Sequence, residues 1–282
     1  MQAKIGFSLQ SQYDHPITHI IDLLRDFGFT AVSPLWTPDL DMDKLASYVY
    51  GHGMLLQSLH APHKGISTLW EPDIPASMEA QKNILCSIDT CYQYKIPLLV
   101  VHGWQGLSYT FPDTPLNYRF FDKMVDYAQQ RGVSIAFENL EGEEYLDALM
   151  ERYRDQSNVG FCWDSGHDHC YPHKQDYLQH YGNRLIMTHL NDNFGVRDSS
   201  GIHTTKDDLH FLPYDGNLDW DYTIRRLKNA PPQQILNFEF KTRSHSTNPK
   251  DLPYSHLSME EFIKQAADRA HKVVNLYHSM IE

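Results

Sequence analysis

The sequence predicts an α/β fold, a single (β/α)8 barrel filling residues 1–282 as one domain. Three observations predict it. Short strand-like runs alternate with longer helical patterns along the whole chain. Several runs, such as LLVVH and SIAFE, are apolar without interruption, which suits strands buried on both faces of a parallel sheet. Eight strand–helix units in 282 residues match the size of that barrel. A doubly wound open sheet is the alternative, but it ordinarily carries a glycine-rich nucleotide loop, and none is visible.

The elements follow in order. A strand at 5–9 leads to a helical pattern at 19–27, with Gly28 placed as its C-terminal cap. Strand 31–34 precedes helix 41–50, and strand 54–60 precedes helix 77–94. The apolar run 98–102 leads to helix 118–131, which Gly132 would cap. Strand 134–139 leads to helix 143–153, and strand 159–164 to helix 175–181 with Gly182 at its end. Strand 185–190 is followed by helix 220–229, and strand 235–240 by helix 259–277, which has either the barrel or a second copy to pack on. Residues 191–217 show no regular element. Loops of that length inside compact domains are usually functional or disordered, and Asp208 and His210 within this one favour function.

Composition narrows the classes. The apolar share of 41% supports a sizeable core. No run approaches the ~18 consecutive apolar residues of a membrane span. The N-terminus lacks a basic head followed by a long apolar stretch, so a cytoplasmic location is the default expectation. The formal charge, 24 − 36 = −12, argues against nucleic acid and anionic membranes as partners. The four cysteines form no C-x-x-C pair and read as reduced thiols. Histidine is abundant, at seventeen residues, and is the commonest metal ligand.

Ionisable residues collect at the ends of the apolar runs. His60 ends LLQSLH, His102 ends LLVVH, and Glu138 closes SIAFE. Asp164 ends VGFCWD with His167 three residues on, His189 closes RLIMTH, and Glu239 ends ILNFE. In a barrel all these ends face one mouth, where active sites lie. A carboxylate in such apolar surroundings is costly unless paired or bound to a metal. The convergence of Asp, Glu and His therefore reads as a divalent-cation site. Any one of these residues alone is better explained by capping or core packing. Trp36, Trp70 and Trp104 fall near the same ends, where aromatic walls suit a sugar or a stacked base. Trp36, Trp104 and Arg197 are the weaker candidates for a substrate pocket. Arg197, Lys206, Lys241 and Arg243 follow the last two strands, where barrels often bind phosphate, although solvated loop cations are the plainer reading. His63, His169 and His173 match no ligand position.

LHAP around His60, VHGW around His102, ENL from Glu138, GFCWDSGH, THLNDN around His189, DDLHFLP around Asp208 and His210, and FEF around Glu239 occur in this order. Together they resemble the xylose isomerase-like barrel superfamily. They are most similar to its sugar phosphate isomerase/epimerase proteins and to their relatives, the endonuclease IV-type AP endonucleases. The resemblance spans residues 5 to about 240. In the epimerase branch it implies one metal held by Glu138, Asp164, His189 and Glu239. In the endonuclease branch it implies three ions. His60, His102 and Glu138 would hold the first, the same quartet the second, and His167, Asp208 and His210 the third. The expected cofactor is a divalent ion (Mn, Mg, Zn or Co), one or as many as three. The expected activity is sugar, sugar phosphate or keto-polyol isomerisation or epimerisation. Glu138 and Glu239 would move the proton, and His167 would orient the substrate. The alternatives are a trinuclear phosphodiesterase and a non-catalytic metal- and ligand-binding barrel. A small-molecule carbohydrate is the expected partner, with a homo-oligomer possible.

Overall fold

The computed structural model describes residues 3–9, 15–171, 173–242, 251 and 253–281. Its strands are β1 (Lys4–Leu9), β2 (Ala31–Pro34), β3 (Leu55–Leu56), β4 (Leu59–His60), β5 (Leu98–His102), β6 (Ser134–Glu138), β7 (Val159–Asp164), β8 (Leu185–His189) and β9 (Ile235–Phe238). They pair in parallel as β3-β2-β1-β9 and β4-β5-β6-β7-β8. Parallel bridges Leu35–His60 and Leu190–Phe238 join the two arcs into a closed ring. This is the predicted barrel.

The expected strand 54–60 is divided. Its first half hydrogen-bonds to β2, with Gln57 N donating to Val32 O (3.0 Å), and its second half to β5, with Ala61 N donating to Val100 O (2.9 Å). Gln57 lies at the change of partner, and its side-chain oxygen accepts from Asn237 Nδ2 at 3.3 Å. Asn237 also donates to Ser33 Oγ (3.1 Å) and accepts from Ser8 Oγ (2.7 Å). Gly6 opposes this cluster, and a Cβ there would stand 2.7 Å from Gln57 Oε1.

The helices are α1 (Ile17–Asp26), α2 (Met42–Gly51), α3 (Pro75–Gln93), α4 (Arg119–Gln130), α5 (Glu143–Arg152), α6 (Ser165–Cys170), α7 (Tyr177–Tyr181), α8 (Trp220–Arg226) and α9 (Met259–Ile281). Gly28 and Gly132 follow α1 and α4 with φ of +91° and +64°, the left-handed region where glycine carries no Cβ penalty. Gly182 differs from expectation. It stays right-handed (φ −57°, ψ −32°) and carries α7 into a 3-10 turn. Helix α9 packs on the barrel, burying Ile263, Ala266, Ala270, Val273 and Tyr277. Arg269 pairs with Asp215 at 2.9 Å, and Lys272 lies 3.5 Å from the Tyr214 ring centre. Among the described residues no helix is long and apolar enough to cross a membrane.

Candidate metal centre

Strand alternation builds the site. Leu98, Val100, Ala136, Cys162 and Met187 form a small apolar cluster separate from the main core. Their neighbours Leu99, Val101, Ile135, Phe137, Phe161 and Trp163 belong to the larger core. Side chains two residues apart on a strand share a face. His102, Glu138, Asp164 and His189 therefore continue the columns of the small cluster to the carboxyl ends of β5–β8. Between Phe161 and Cys162 the β7–β8 register shifts, so that Asp164 pairs with His189. Glu239 follows β9 and closes the circle, its N–H donating to Leu190 O at 3.1 Å.

These side chains touch. His189 Nδ1 lies 2.8 Å from Glu138 Oε1 and 2.9 Å from Glu239 Oε2. Glu138 Oε2 faces His60 Nε2 and His102 Nε2, each at 3.1 Å. One ligand atom from each of Glu138, Asp164, His189 and Glu239 falls within 4.8 Å of the others, and all four residues are buried. His60 with Glu138 and His189, and His167 with Asp208 and His210, form further groups by the same measure. Three carboxylates and an imidazole suit a divalent cation between hard and borderline. The residues therefore fit the metal that the sequence implies.

Neighbouring groups orient the donors. His60 Nδ1 contacts Ala61 O at 2.7 Å, His167 Nδ1 contacts Asn139 O at 2.9 Å, and His210 Nδ1 contacts Glu239 O at 3.2 Å. A ring nitrogen that donates to a carbonyl leaves the other as ligand, the usual second contact of metal-binding histidines. Asn139 brackets the Asp164 backbone, accepting from its N–H (2.8 Å) and donating to its C=O (2.9 Å). Asn191 Nδ2 donates to both Asp164 carboxylate oxygens, at 3.1 and 2.9 Å. Helix α6, absent from the sequence expectation, begins here, because Asp164 Oδ1 accepts the His167 N–H at 2.7 Å and caps its first turn.

Burial and pairing compete at these groups. Burial pushes the Glu138 carboxyl up, yet His189 and the imidazoles of His102 and His60 hold it well below the usual range. Burial also opposes ionisation of Asp208, which His210, Lys241 and His167 outweigh. Burial dominates at Asp164 and raises its carboxyl. A bound cation would reverse that balance.

The long loop 191–217 is fastened by Asp192. Its carboxylate accepts from Tyr214 N (2.9 Å), Leu218 N (3.1 Å) and the Trp220 indole (2.9 Å). An antiparallel bridge pairs Asp192 with Phe211. His210 has a positive φ of 50°, a conformation uncommon outside glycine, and its ring reaches Asp208 Oδ2 at 3.0 Å.

Not every sequence candidate joins the cluster. Arg197 is engaged elsewhere, pairing with Asp207 (3.0 Å) and Asp251 (2.6 Å) within loop structure. The Trp36 indole donates to Thr90 Oγ1 (2.9 Å), and Trp36 N to His60 O (2.9 Å). Trp104 stacks on Tyr145 at 4.3 Å and donates to Gly106 O. Trp70 donates to Gly103 O at 2.8 Å. The Trp70 and Trp104 indoles thus donate to the loop after β5, and the Trp36 indole ties the segment after β2 to α3. Lys206 is exposed, and Arg243 lies outside the described residues. Sequence reasoning missed His63, whose ring stands 4.8 Å from His60 and 5.2 Å from His102. Burial, then His60 and His102, push its imidazole down to about 2, so it stands as a neutral nitrogen donor beside them. The repeated histidine of LHAPH was the available signal.

The comparisons with known proteins agree with this architecture. The uncharacterised protein y4fM of Sinorhizobium fredii is 29% identical, covering 92% of this chain and 93% of its own length. Among solved structures, the IolI protein, described with a bound zinc atom, superposes with a TM-score of 0.75 at 19% identity, covering 98% of this chain and all of its own. D-psicose 3-epimerase of Clostridium cellulolyticum H10 superposes at 0.65 with 14% identity and 99% coverage of both chains. Likenesses at this identity speak for the fold. The family model described as xylose isomerase-like TIM barrel matches residues 21–269. The chain belongs to the xylose isomerase-like TIM barrel family.

Proposed function

We propose that this protein is a divalent-metal-dependent isomerase or epimerase acting on a sugar, sugar phosphate or keto-polyol. The observation that carries the reading is the meeting of two glutamates from separate strand ends, Glu138 and Glu239, at one nitrogen of His189. Two carboxylates facing across a small space suit removal of a proton from a carbon beside a carbonyl and its return from the other side. The quartet's ion would supply the positive charge that stabilises the enediolate. Glu138 and Glu239 hold and move the proton, and His167 directs Nε2 toward a substrate oxygen. Burial of Glu138, His167 and Glu239 keeps these interactions strong. IolI carries zinc, and D-psicose 3-epimerase was solved with D-tagatose, which supports a carbohydrate for the same fold.

A second reading, a trinuclear phosphodiesterase, is favoured by the additional donor groups at His60 and at His167–Asp208–His210. The formal charge of −12 weighs against a nucleic-acid substrate. Incubating the metal-loaded protein in D2O with a panel of ketoses, keto-inositols and sugar phosphates separates the two. Deuterium entering the carbon beside the carbonyl is the expected result. Cleavage of an abasic-site oligonucleotide without such incorporation selects the second reading.

A further inference from the structure

A side-chain cation already stands against the His167–Asp208–His210 group. Lys241 lies two residues beyond Glu239, and its N–H donates to His210 O at 3.1 Å. Its ammonium is 3.7 Å from Asp208 Oδ2, with its side chain one-quarter exposed. The same carboxylate faces His210 Nε2 at 3.0 Å and His167 Nε2 at 3.6 Å. Among the described residues, Glu138 is paired with imidazoles only, whereas Asp208 is paired with imidazoles and an ammonium.

We infer that Lys241 takes the electrostatic place of a third metal ion at Asp208, so that the mouth holds at most two divalent ions. The inference rests on the proposed quartet ion. A divalent cation bound to Asp208 Oδ2 at about 2 Å would stand within about 6 Å of the ammonium, in a site where burial weakens screening. The carboxylate's charge is already met by Lys241, so such an ion gains less there than at Glu138. The result is a group with the ligand geometry of a metal site and an organic cation at its edge. The N–H donors that Lys241 and His167 hold beside Asp208 suit a substrate hydroxyl or carbonyl oxygen. A lysine is a compact charge with three rotatable donors, and it orients an oxygen without chelating it. This arrangement serves the carbohydrate reading and withholds the third ion from the phosphodiesterase reading.

The test counts ions. The protein is loaded with excess zinc, freed of loose metal by desalting, and its zinc per chain is measured by elemental analysis. Lys241→Ala, Lys241→Gln and Lys241→Arg are treated alongside, each checked for native circular dichroism. The expected result is one more zinc per chain in Lys241→Ala and Lys241→Gln than in the parent protein. Lys241→Arg, which keeps the charge, retains the parent count, and adding Asp208→Asn to Lys241→Ala removes the extra ion. Equal nonzero counts in the parent and in Lys241→Ala, or three zinc ions in the parent, overturn the inference. No zinc in any of the proteins overturns the quartet reading itself and this inference with it.

Discussion

Asn139 and Asn191 hold Asp164 from its backbone and from its carboxylate. Neither is a candidate ligand, yet together they fix the direction of one. Asn139→Ala leaves the buried Asp164 N–H and C=O without their side-chain partners. It is expected to lower unfolding free energy by about 1–3 kcal/mol, read by urea denaturation. Metal affinity should fall with it by about 10–100-fold, the usual effect of losing a group that orients a ligand. In the first turn of α4, Asp122 accepts from Arg152 Nε (2.7 Å) and Nη2 (2.6 Å) and from the Tyr153 hydroxyl (2.8 Å). Arg152 holds its carboxyl below the usual value against the opposing effect of partial burial. A depressed folded-state value contributes stability above the unfolded value of about 3.9, and that stability is lost as pH falls through the folded one. Thermal melts of Asp122→Asn should therefore lie below those of the parent at pH 6, with the gap narrowing as pH drops below about 4. A gap that stays constant across this range would contradict that origin.

At the scale of elements, the loop 191–217 positions Asp208 and His210 through Asp192. Asp192→Ala strands the Tyr214 and Leu218 amides and the Trp220 indole. The expected outcome is faster amide hydrogen exchange at Tyr214 and Leu218, with His210 losing its register against Asp208, while amides of β5–β7 keep their protection. The strands and most helices were legible in the sequence, because unbroken apolar runs and helical periodicity follow directly from burial. The convergence of the candidate ligands was legible for the same reason: His102, Glu138, Asp164 and His189 extend columns of the small apolar cluster whose parity the sequence displays. Other features were not legible. Helix α6 spans only Ser165–Cys170, too short for periodicity, and depends on a cap from a residue that read as a ligand. The break at Gln57 comes from a change of strand partner, which no local pattern encodes. The ion pairs of Arg197 and the approach of Lys241 to Asp208 depend on how a loop folds back on the barrel.

At the scale of the molecule, the closed ring brings strand ends scattered between His60 and Glu239 into one mouth. Several carboxylates are buried there together, and a divalent ion bound among them would relieve their repulsion and desolvation. Binding that favours the folded state raises stability by about 2.7 kcal/mol when the free ion stands at 100 times its dissociation constant. A chelator should accordingly lower the melting temperature, and added manganese or zinc should restore it. The most direct test of the central claim is calorimetric titration of metal-stripped protein with zinc or manganese, beside Asp164→Ala and Glu239→Gln. The account predicts a tight equivalent in the parent that both substitutions weaken by at least tenfold. No tight binding in the parent, or a tight ion that survives both substitutions unchanged, would contradict it.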